Sequence, residues 1–278
     1  MSITANTEQA RRWNGDTGRR WVAQRERHAA VRRGLIPHLL RTAAIAPSDR
    51  VLDVGCGCGD TTIAAARLAG PGGSATGLDL SGPMLAVARQ QAADAAVANV
   101  RFVQGDAQTH PLAPGAYDVV LSSFGVMFFD DPAAAFGGFC SALRPGGRLA
   151  FLCWQDESRN EVFSIPLVAV RAHAQQPVPA AADLFADPRR VTDLLTGAGF
   201  ADVRVESLRA PARFGSDVPD VLDHVRSTSA FQTRLADLDD EALGERVLAT
   251  MTEAYTARLR PDGVWVEAAA WLIAATRS

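Results

Sequence analysis

Three aspartates, Asp53, Asp79 and Asp106, recur at intervals of 26 and 27 residues in this 278-residue chain. Directly after the first runs Gly55-Cys56-Gly57-Cys58-Gly59. Glycines at this density permit a tight turn and let a ligand approach the backbone closely. A helix that begins straight after such a turn favours a negative group, such as a carboxylate, at its N-terminus. An acidic residue at the next strand end accepts hydrogen bonds from ribose hydroxyls. A nicotinamide dinucleotide fingerprint needs G-x-G-x-x-G, and the loop fails it in both registers. Counted from Gly55 the last position is Asp60; counted from Gly57 it is Thr62. Asp60 would also set a negative charge beside a pyrophosphate.

Other chemistries are closed by composition. All 28 basic residues are arginine, so no lysine is present to form a Schiff base or to reach a P-loop phosphate. Arginine stays protonated and is a poor base or nucleophile. Cysteines at 56, 58, 140 and 153 suit a reduced, cytoplasmic protein, and no Cys/His cluster completes a metal site around the first two. No metal is expected. No apolar run approaches the roughly 20 residues of a membrane span, and the N-terminus lacks the apolar block of a signal peptide.

The elements that must position the aspartates read clearly between 46 and 154. Val51–Val54, Ser74–Leu80, Val100–Gln104, Asp118–Ser122 and Leu149–Trp154 read as strands; Thr61–Ala69, Pro83 to about Ala98 and Pro132–Leu143 read as helices. Alternation of this kind predicts an α/β fold with a doubly wound, mostly parallel sheet and right-handed crossovers. The three aspartates then fall at the carboxyl edge, where such sheets bind ligands. Residues 155–198 read as helical with Pro166, Pro177, Pro179 and Pro188 interrupting. Val203–Glu206 reads as a strand, and 216–259 as helical with Asp239-Asp240-Glu241 as a capping cluster. Val264–Ala275 reads as a last strand joining the sheet. The division expected is 1–45 an N-terminal helical lid, 46–154 a ligand-binding core, and 155–278 the remainder of the same domain with inserted helices.

As a set, VLDVGCGCGD, GLDLS, FVQGDAQ, YDVVLSSFGVMFF and LRPGGRLAF resemble the class I S-adenosylmethionine-dependent methyltransferases over roughly residues 48–154. The resemblance implies a seven-stranded Rossmann-like methyltransferase sheet and S-adenosyl-L-methionine as cofactor, leaving as S-adenosyl-L-homocysteine. It implies that Asp53, Gly55, Gly57 and Gly59 line the methionine and ribose part and that Asp79 holds the ribose hydroxyls. Leu80 and Met84 would pack near adenine, Asp106 and the Ala107 amide would meet its edge, and Ser122 would lie beside the methionine moiety. Trp13 and Trp21 could shield the sulfonium through cation–π contact or simply pack as aromatics.

The subtypes can be pruned. Ser122-Ser123-Phe124-Gly125 replaces the N/D-P-P-Y/F motif of amino-methylating enzymes of nucleobases and glutamine. No cysteine follows a proline, as cytosine C5 enzymes require, and the radical motif C-x-x-x-C-x-x-C is absent. The catechol-type route needs a lysine. What remains resembles the metal-independent branch acting on small-molecule metabolites, with O, N or C acceptors and direct in-line transfer. His28 is the candidate base, because Trp21, His28 and Leu35 recur every seven residues on one face of an N-terminal helix. His110 reads as a loop residue, and His173 and His224 rank lower. Nine arginines against three acids in the first 41 residues suit an RNA acceptor or a solvated helix face. The net charge of −3 and the lack of a basic tail weigh against nucleic acid. The rival readings are an RNA methyltransferase and a cyclase, isomerase or binding module that holds the cofactor without methylating.

Overall fold

Apolar side chains that alternate along a strand must be covered on both faces of a sheet, and five strands here demand it. In the computed structural model, which describes residues 6–174, 184–236 and 241–278, Val51, Val119, Leu121, Ala150 and Leu152 join one buried cluster. Their neighbours Leu52, Val54, Val120, Leu149 and Phe151 join the other. The strands are β1 (Arg50–Val54), β2 (Ser74–Asp79), β3 (Val100–Gln104), β4 (Tyr117–Ser123), β5 (Leu143–Trp154), β6 (Phe200–Gly215), β7 (Leu259–Arg260) and β8 (Gly263–Arg277). They form one sheet in the order β3-β2-β1-β4-β5-β8-β6, with the two-residue β7 hairpinned onto β8. The first five are parallel; β8 runs antiparallel between β5 and β6. This is the Rossmann-like methyltransferase fold, an α/β architecture with seven principal strands.

Helices α1 (Thr7–Asn14), α2 (Asp16–Ala23), α3 (Arg25–Arg32) and α4 (Ile36–Ala43) precede the sheet. The crossovers are α5 (Asp60–Ala69), α6 (Gly82–Asp94) and α7 (Pro132–Ala142), followed by α8 (Glu161–His173) and α9 (Pro188–Gly197). Between β6 and β7 lie α10 (Val218–Ser227), α11 (Ser229–Ala236) and α12 (Glu241–Thr256). On one face Phe136 of α7 meets Phe151 of β5 and Phe185, with Phe139 of the same helix edge-on to Phe136. Each fully buried ring of this kind contributes about 1.5–3 kcal/mol.

Several expectations are adjusted. The N-terminal segment is four short helices, not one. Gly15 and Gln24 break the rod, so Trp21 lies on α2 and His28 on α3, while Leu35 turns into the core. α6 stops at Asp94 because Ala96 adopts a left-handed conformation. Pro166 sits inside α8 rather than ending it, and Pro188 occupies the first turn of α9, where a missing amide costs nothing. Pro177, Pro179, Asp239 and Asp240 lie outside the described residues, as does the side chain of Glu241. No described helix is long and apolar enough to cross a membrane.

β6 is far longer than the four residues predicted, and its length matters for the site. β5 ends where Trp154 pairs with Ala270. Beyond that point β8 continues toward its own start, with Gly263–Ala269 paired only to the far half of β6 and to β7. A two-stranded ribbon therefore overhangs the carboxyl edge. Ala210, Ala212 and Phe214 face inward along it, alternating with exposed Arg209, Pro211 and Arg213. Helix α3 packs against this ribbon.

Candidate functional site

A cavity of about 560 Å³ opens at the carboxyl ends of the central strands, beneath α1–α3 and beside the ribbon. Its floor is made by turns. Gly55, Gly57 and Gly59 all have positive φ, which glycine adopts without steric cost. Gly55 has a second reason to lack a side chain. A Cβ there would stand 2.6 Å from the Cα of Gly125, and one on Gly125 would meet the Gly55 Cα at the same distance. The loops after β1 and β4 thus touch backbone to backbone.

Asp79, the last residue of β2, is aimed by that turn. Its Oδ2 accepts from the Gly57 amide at 2.7 Å and its Oδ1 from the Ser81 amide at 2.8 Å. Burial raises its pKa against the pull of both amides. Asp53 lies deeper, wholly buried. Its Oδ2 accepts from the Thr62 hydroxyl at 2.6 Å, whereas Oδ1 has no partner. Burial first, and the Asp79 charge second, push its carboxyl up to about 7, against the Thr62 hydrogen bond. Asp106 follows β3; its Oδ1 accepts from the Gln108 amide at 3.0 Å and from Asn6 Nδ2 at 3.2 Å.

Gly55, Gly57, Asp79, Leu80, Met84, Asp106, Ala107, Trp21 and His28 all line the cavity. Asp53, Gly59 and Ser122 stand behind that wall. The Ser122 hydroxyl is committed to backbone, donating to the Val54 carbonyl at 2.6 Å and accepting from the Gly125 amide at 3.1 Å. Ser123 takes the wall position instead, with an unpartnered Oγ.

The N-terminal helices are tied across the opening by short polar contacts. Ser81 Oγ donates to the Trp13 carbonyl at 2.8 Å, and Asn14 bonds the Leu80 carbonyl and the Gly82 amide at 3.0 Å each. Arg27 donates to the Phe214 carbonyl and to Asp220 Oδ1, both at 2.5 Å, fastening α3 to the ribbon and α10. Trp21 stacks on His28 with ring centroids 3.7 Å apart and planes 8° from parallel. One face of that indole is therefore already occupied by an imidazole.

The remaining wall is aromatic; Phe124 and Trp154 lie within segments read from the sequence, but neither is assigned to a site there. Phe124 stacks on Trp154 at 3.9 Å, Phe163 meets Trp154 edge-on at 5.6 Å, and Phe214 and Phe231 close the other side. His224 also lines the cavity, in contact with His28 and Phe214. His173 instead bonds Thr250 at 2.9 Å, and His110 is absent from the lining. Arg32 was missed as well. Its side chain is 20% exposed, its Nε donates to the His28 carbonyl at 3.1 Å, and its nearest carboxylate, Asp60, stands 3.9 Å away. Burial lowers its pKa, so it is a cation short of counter-charge beside the glycine turn. Gly125 carried a signal of its own, a glycine two residues past the end of the fourth strand.

The floor fits a ligand rich in hydrogen-bond donors. Asp79 and Asp106 present carboxylates, and Asp53 Oδ1, Asn6 Oδ1 and Ser123 Oγ are buried without partners. S-adenosylmethionine offers ribose hydroxyls, an amino-bearing purine and an ammonium group, which are the donors such atoms lack. No group of three or more His, Cys, Asp or Glu able to hold a metal occurs among the described residues.

The family profile described as a methyltransferase domain matches residues 51–147. The nocamycin O-methyltransferase of Saccharothrix syringae is 31% identical over 245 residues, 78% of this chain and 88% of that one. The demethylmenaquinone methyltransferase of Thermus thermophilus is 32% identical over 172 residues, 57% of this chain and 77% of that one. A Haemonchus contortus phosphoethanolamine N-methyltransferase, solved with S-adenosylhomocysteine, shares the fold with a TM-score of 0.53 at 20% identity. That superposition covers 87% of this chain and 52% of that one. The chain belongs to the class I S-adenosylmethionine-dependent methyltransferases and is an enzyme of the branch acting on small molecules.

Proposed function

We propose that this enzyme methylates an oxygen atom on a small, largely apolar molecule, seated between Phe163, Trp154 and Phe124 on one side and Phe214 and Phe231 on the other. The observation that carries the reading is the division of a single cavity. Its floor is built of carboxylates and glycine backbone, and its upper wall is built of aromatic rings. Support for oxygen comes from the relative matched over most of both chains, which is an O-methyltransferase.

Bound S-adenosylmethionine supplies a methyl already activated on a sulfonium, so the protein's work is placement and exclusion of water. Asp79 holds the ribose hydroxyls, its own orientation fixed by the Gly57 and Ser81 amides. Asp106 and the Ala107 amide meet the adenine edge, with Leu80 and Met84 against its faces. Gly55 and Gly57 let the methionine end lie close to backbone, with Gly59 turning the loop and the Asp53 carboxyl behind the wall on the side of its ammonium, while Arg32 meets its carboxylate. Ser122 acts from behind, bracing the Val54 and Gly125 backbone. The described part of the N-terminal segment, residues 6–45, forms a lid, Trp21 among them, that must lift for ligand entry and then excludes solvent.

The arginines of that segment speak against an RNA acceptor. Arg20 donates to the Ser227 carbonyl and Arg27 to Asp220 and the Phe214 carbonyl, so these two brace the lid against α10 and the ribbon.

A dihydroxynaphthalene offers a phenolic oxygen and an activated ring carbon in one molecule. With isotopically labelled methyl donor, label is expected as a methoxy group in the product's NMR spectrum. Label on ring carbon, or none transferred, overturns the assignment to oxygen. Calorimetric titration tests the floor: Asp79→Ala should weaken S-adenosylmethionine about 10- to 100-fold, and unchanged affinity refutes the ribose contact.

A further inference from the structure

His224 lines the acceptor's half of the cavity, and its Nδ1 is among the buried polar atoms that have no partner. His224 sits on α10, whose first turn is capped by Asp217 accepting from the Asp220 amide at 2.9 Å. Arg27 clamps that helix to α3. The clamp brings the His28 and His224 rings to 6.2 Å, inclined at 70°, and Phe214 meets His224 edge-on at 5.6 Å. The plane of His28 is fixed by its stack on Trp21. His224 Nδ1 is buried and has no hydrogen-bond partner. A buried polar atom without a partner costs roughly 1–3 kcal/mol, which a ligand's donor would recover.

We propose that His224 Nδ1 accepts the proton of the acceptor's hydroxyl, so that the substrates of this site are small phenols or enols. The proposal rests on the methyltransferase reading and adds to it the acceptor class and the base. In the step, the acceptor oxygen forms its bond to the methyl carbon while the carbon–sulfur bond breaks, its electron pair passing to sulfur. The O–H bond breaks toward Nδ1, leaving a neutral methyl ether, a neutral thioether and an imidazolium. His28, the base expected from the sequence, becomes a wall that fixes where the hydroxyl lies.

The surroundings suit that task. His224 is faced by Arg27 and His28 from α3 and by Asp220 from its own helix; Arg32 stands beside His28. Burial and then Arg27 lower its pKa to about 4, against Asp220; burial and then Arg32 lower that of His28 to about 3. Both rings are neutral at neutral pH, and the His224 tautomer with its proton on Nε2 leaves the Nδ1 lone pair beside a cationic methyl donor. A base this weak still suffices, because a hydroxyl oxygen becomes strongly acidic as it takes on the methyl.

The test uses the protein loaded with S-adenosylhomocysteine, titrated with β-naphthol and with its methyl ether. The wild type should bind the naphthol about tenfold more tightly than the ether, a difference typical of one satisfied buried hydrogen bond. In His224→Phe, which keeps a ring of similar bulk, the two should bind alike while S-adenosylhomocysteine affinity stays within about twofold. Equal binding by the wild type, binding of neither compound, or a preference that survives His224→Phe overturns the proposal. Turnover of β-naphthol gives a second readout. His224→Phe should lower kcat about 100-fold, and its rate should climb with pH as naphtholate accumulates. The wild-type rate should stay nearly flat down to about pH 5. A variant as fast or as flat as the wild type would refute the base. Failure of the wild type to bind S-adenosylhomocysteine at all would instead sink the cofactor reading.

Discussion

The two halves of the cavity are built by different means. The floor comes from consecutive turns at strand ends, and its shape is set by backbone: Gly55 against Gly125, and the Gly57 amide on Asp79. The upper wall comes from side chains on α2, α3, α8, α10, α11 and the ribbon, together with Phe124 after β4 and Trp154 at the end of β5, drawn from positions 21 to 231. A site made of backbone tolerates little change, because a turn accepts one geometry. One made of side chains on helices can be re-lined residue by residue. The cavity thus pairs a floor fixed by backbone with a wall that side-chain changes can adjust.

Gly125→Ala should break the floor most severely. The new methyl would meet Gly55 Cα and the Val54 carbonyl oxygen at 2.6 Å, and neither can swing away. Such overpacking costs about 1–3 kcal/mol, and S-adenosylmethionine affinity measured by calorimetry should fall about 100-fold. Wild-type affinity would show that the two loops are not locked together. Phe163→Ala should act on the wall alone. It removes the ring set edge-on to Trp154, so KM for the acceptor should rise about tenfold with S-adenosylmethionine affinity unchanged. A parallel loss of cofactor binding would mean that the halves are not separable.

Legibility followed the same line. Asp53, Asp79, Asp106 and the three loop glycines could be placed because strand ends recur at fixed intervals and turns demand particular residues. Phe163 and Phe231 could not, and His224 could only be ranked below His28, because a ring on an amphipathic helix looks alike whether it faces a core or a cavity. Ser122 and Ser123 show the limit most closely. Strand alternation separates their faces, but the bend after β4 decides which hydroxyl braces backbone and which reaches the wall. The single N-terminal helix failed for a local reason: a seven-residue recurrence survives a break at Gln24, so it could not reveal the break.

The smallest expected effect concerns the floor without ligand. Asp53 holds its proton more tightly in the folded chain, near 7, than an ordinary carboxyl near 4. Folded protein therefore binds more protons than unfolded across that interval, and stability should decline as pH rises from about 4 to about 7, then level off. Asp53→Asn removes the titration. Thermal melts of ligand-free protein should show the variant gaining stability relative to wild type as pH rises between those limits. Parallel curves would assign the slope to other groups.

The ribbon of β6 and β8 sets a rule for how such an enzyme can be resized. Its far end is held by ladder hydrogen bonds, and its inward residues alternate with exposed ones. Lengthening it by one matched pair would raise the wall by about 3.3 Å but turn the buried row outward. Two matched pairs would restore the facing at roughly twice that height. Acceptor size in relatives with this overhang should therefore change in steps of two residues per strand, a quantised measure readable from the distance between the end of β5 and the tip of the ribbon.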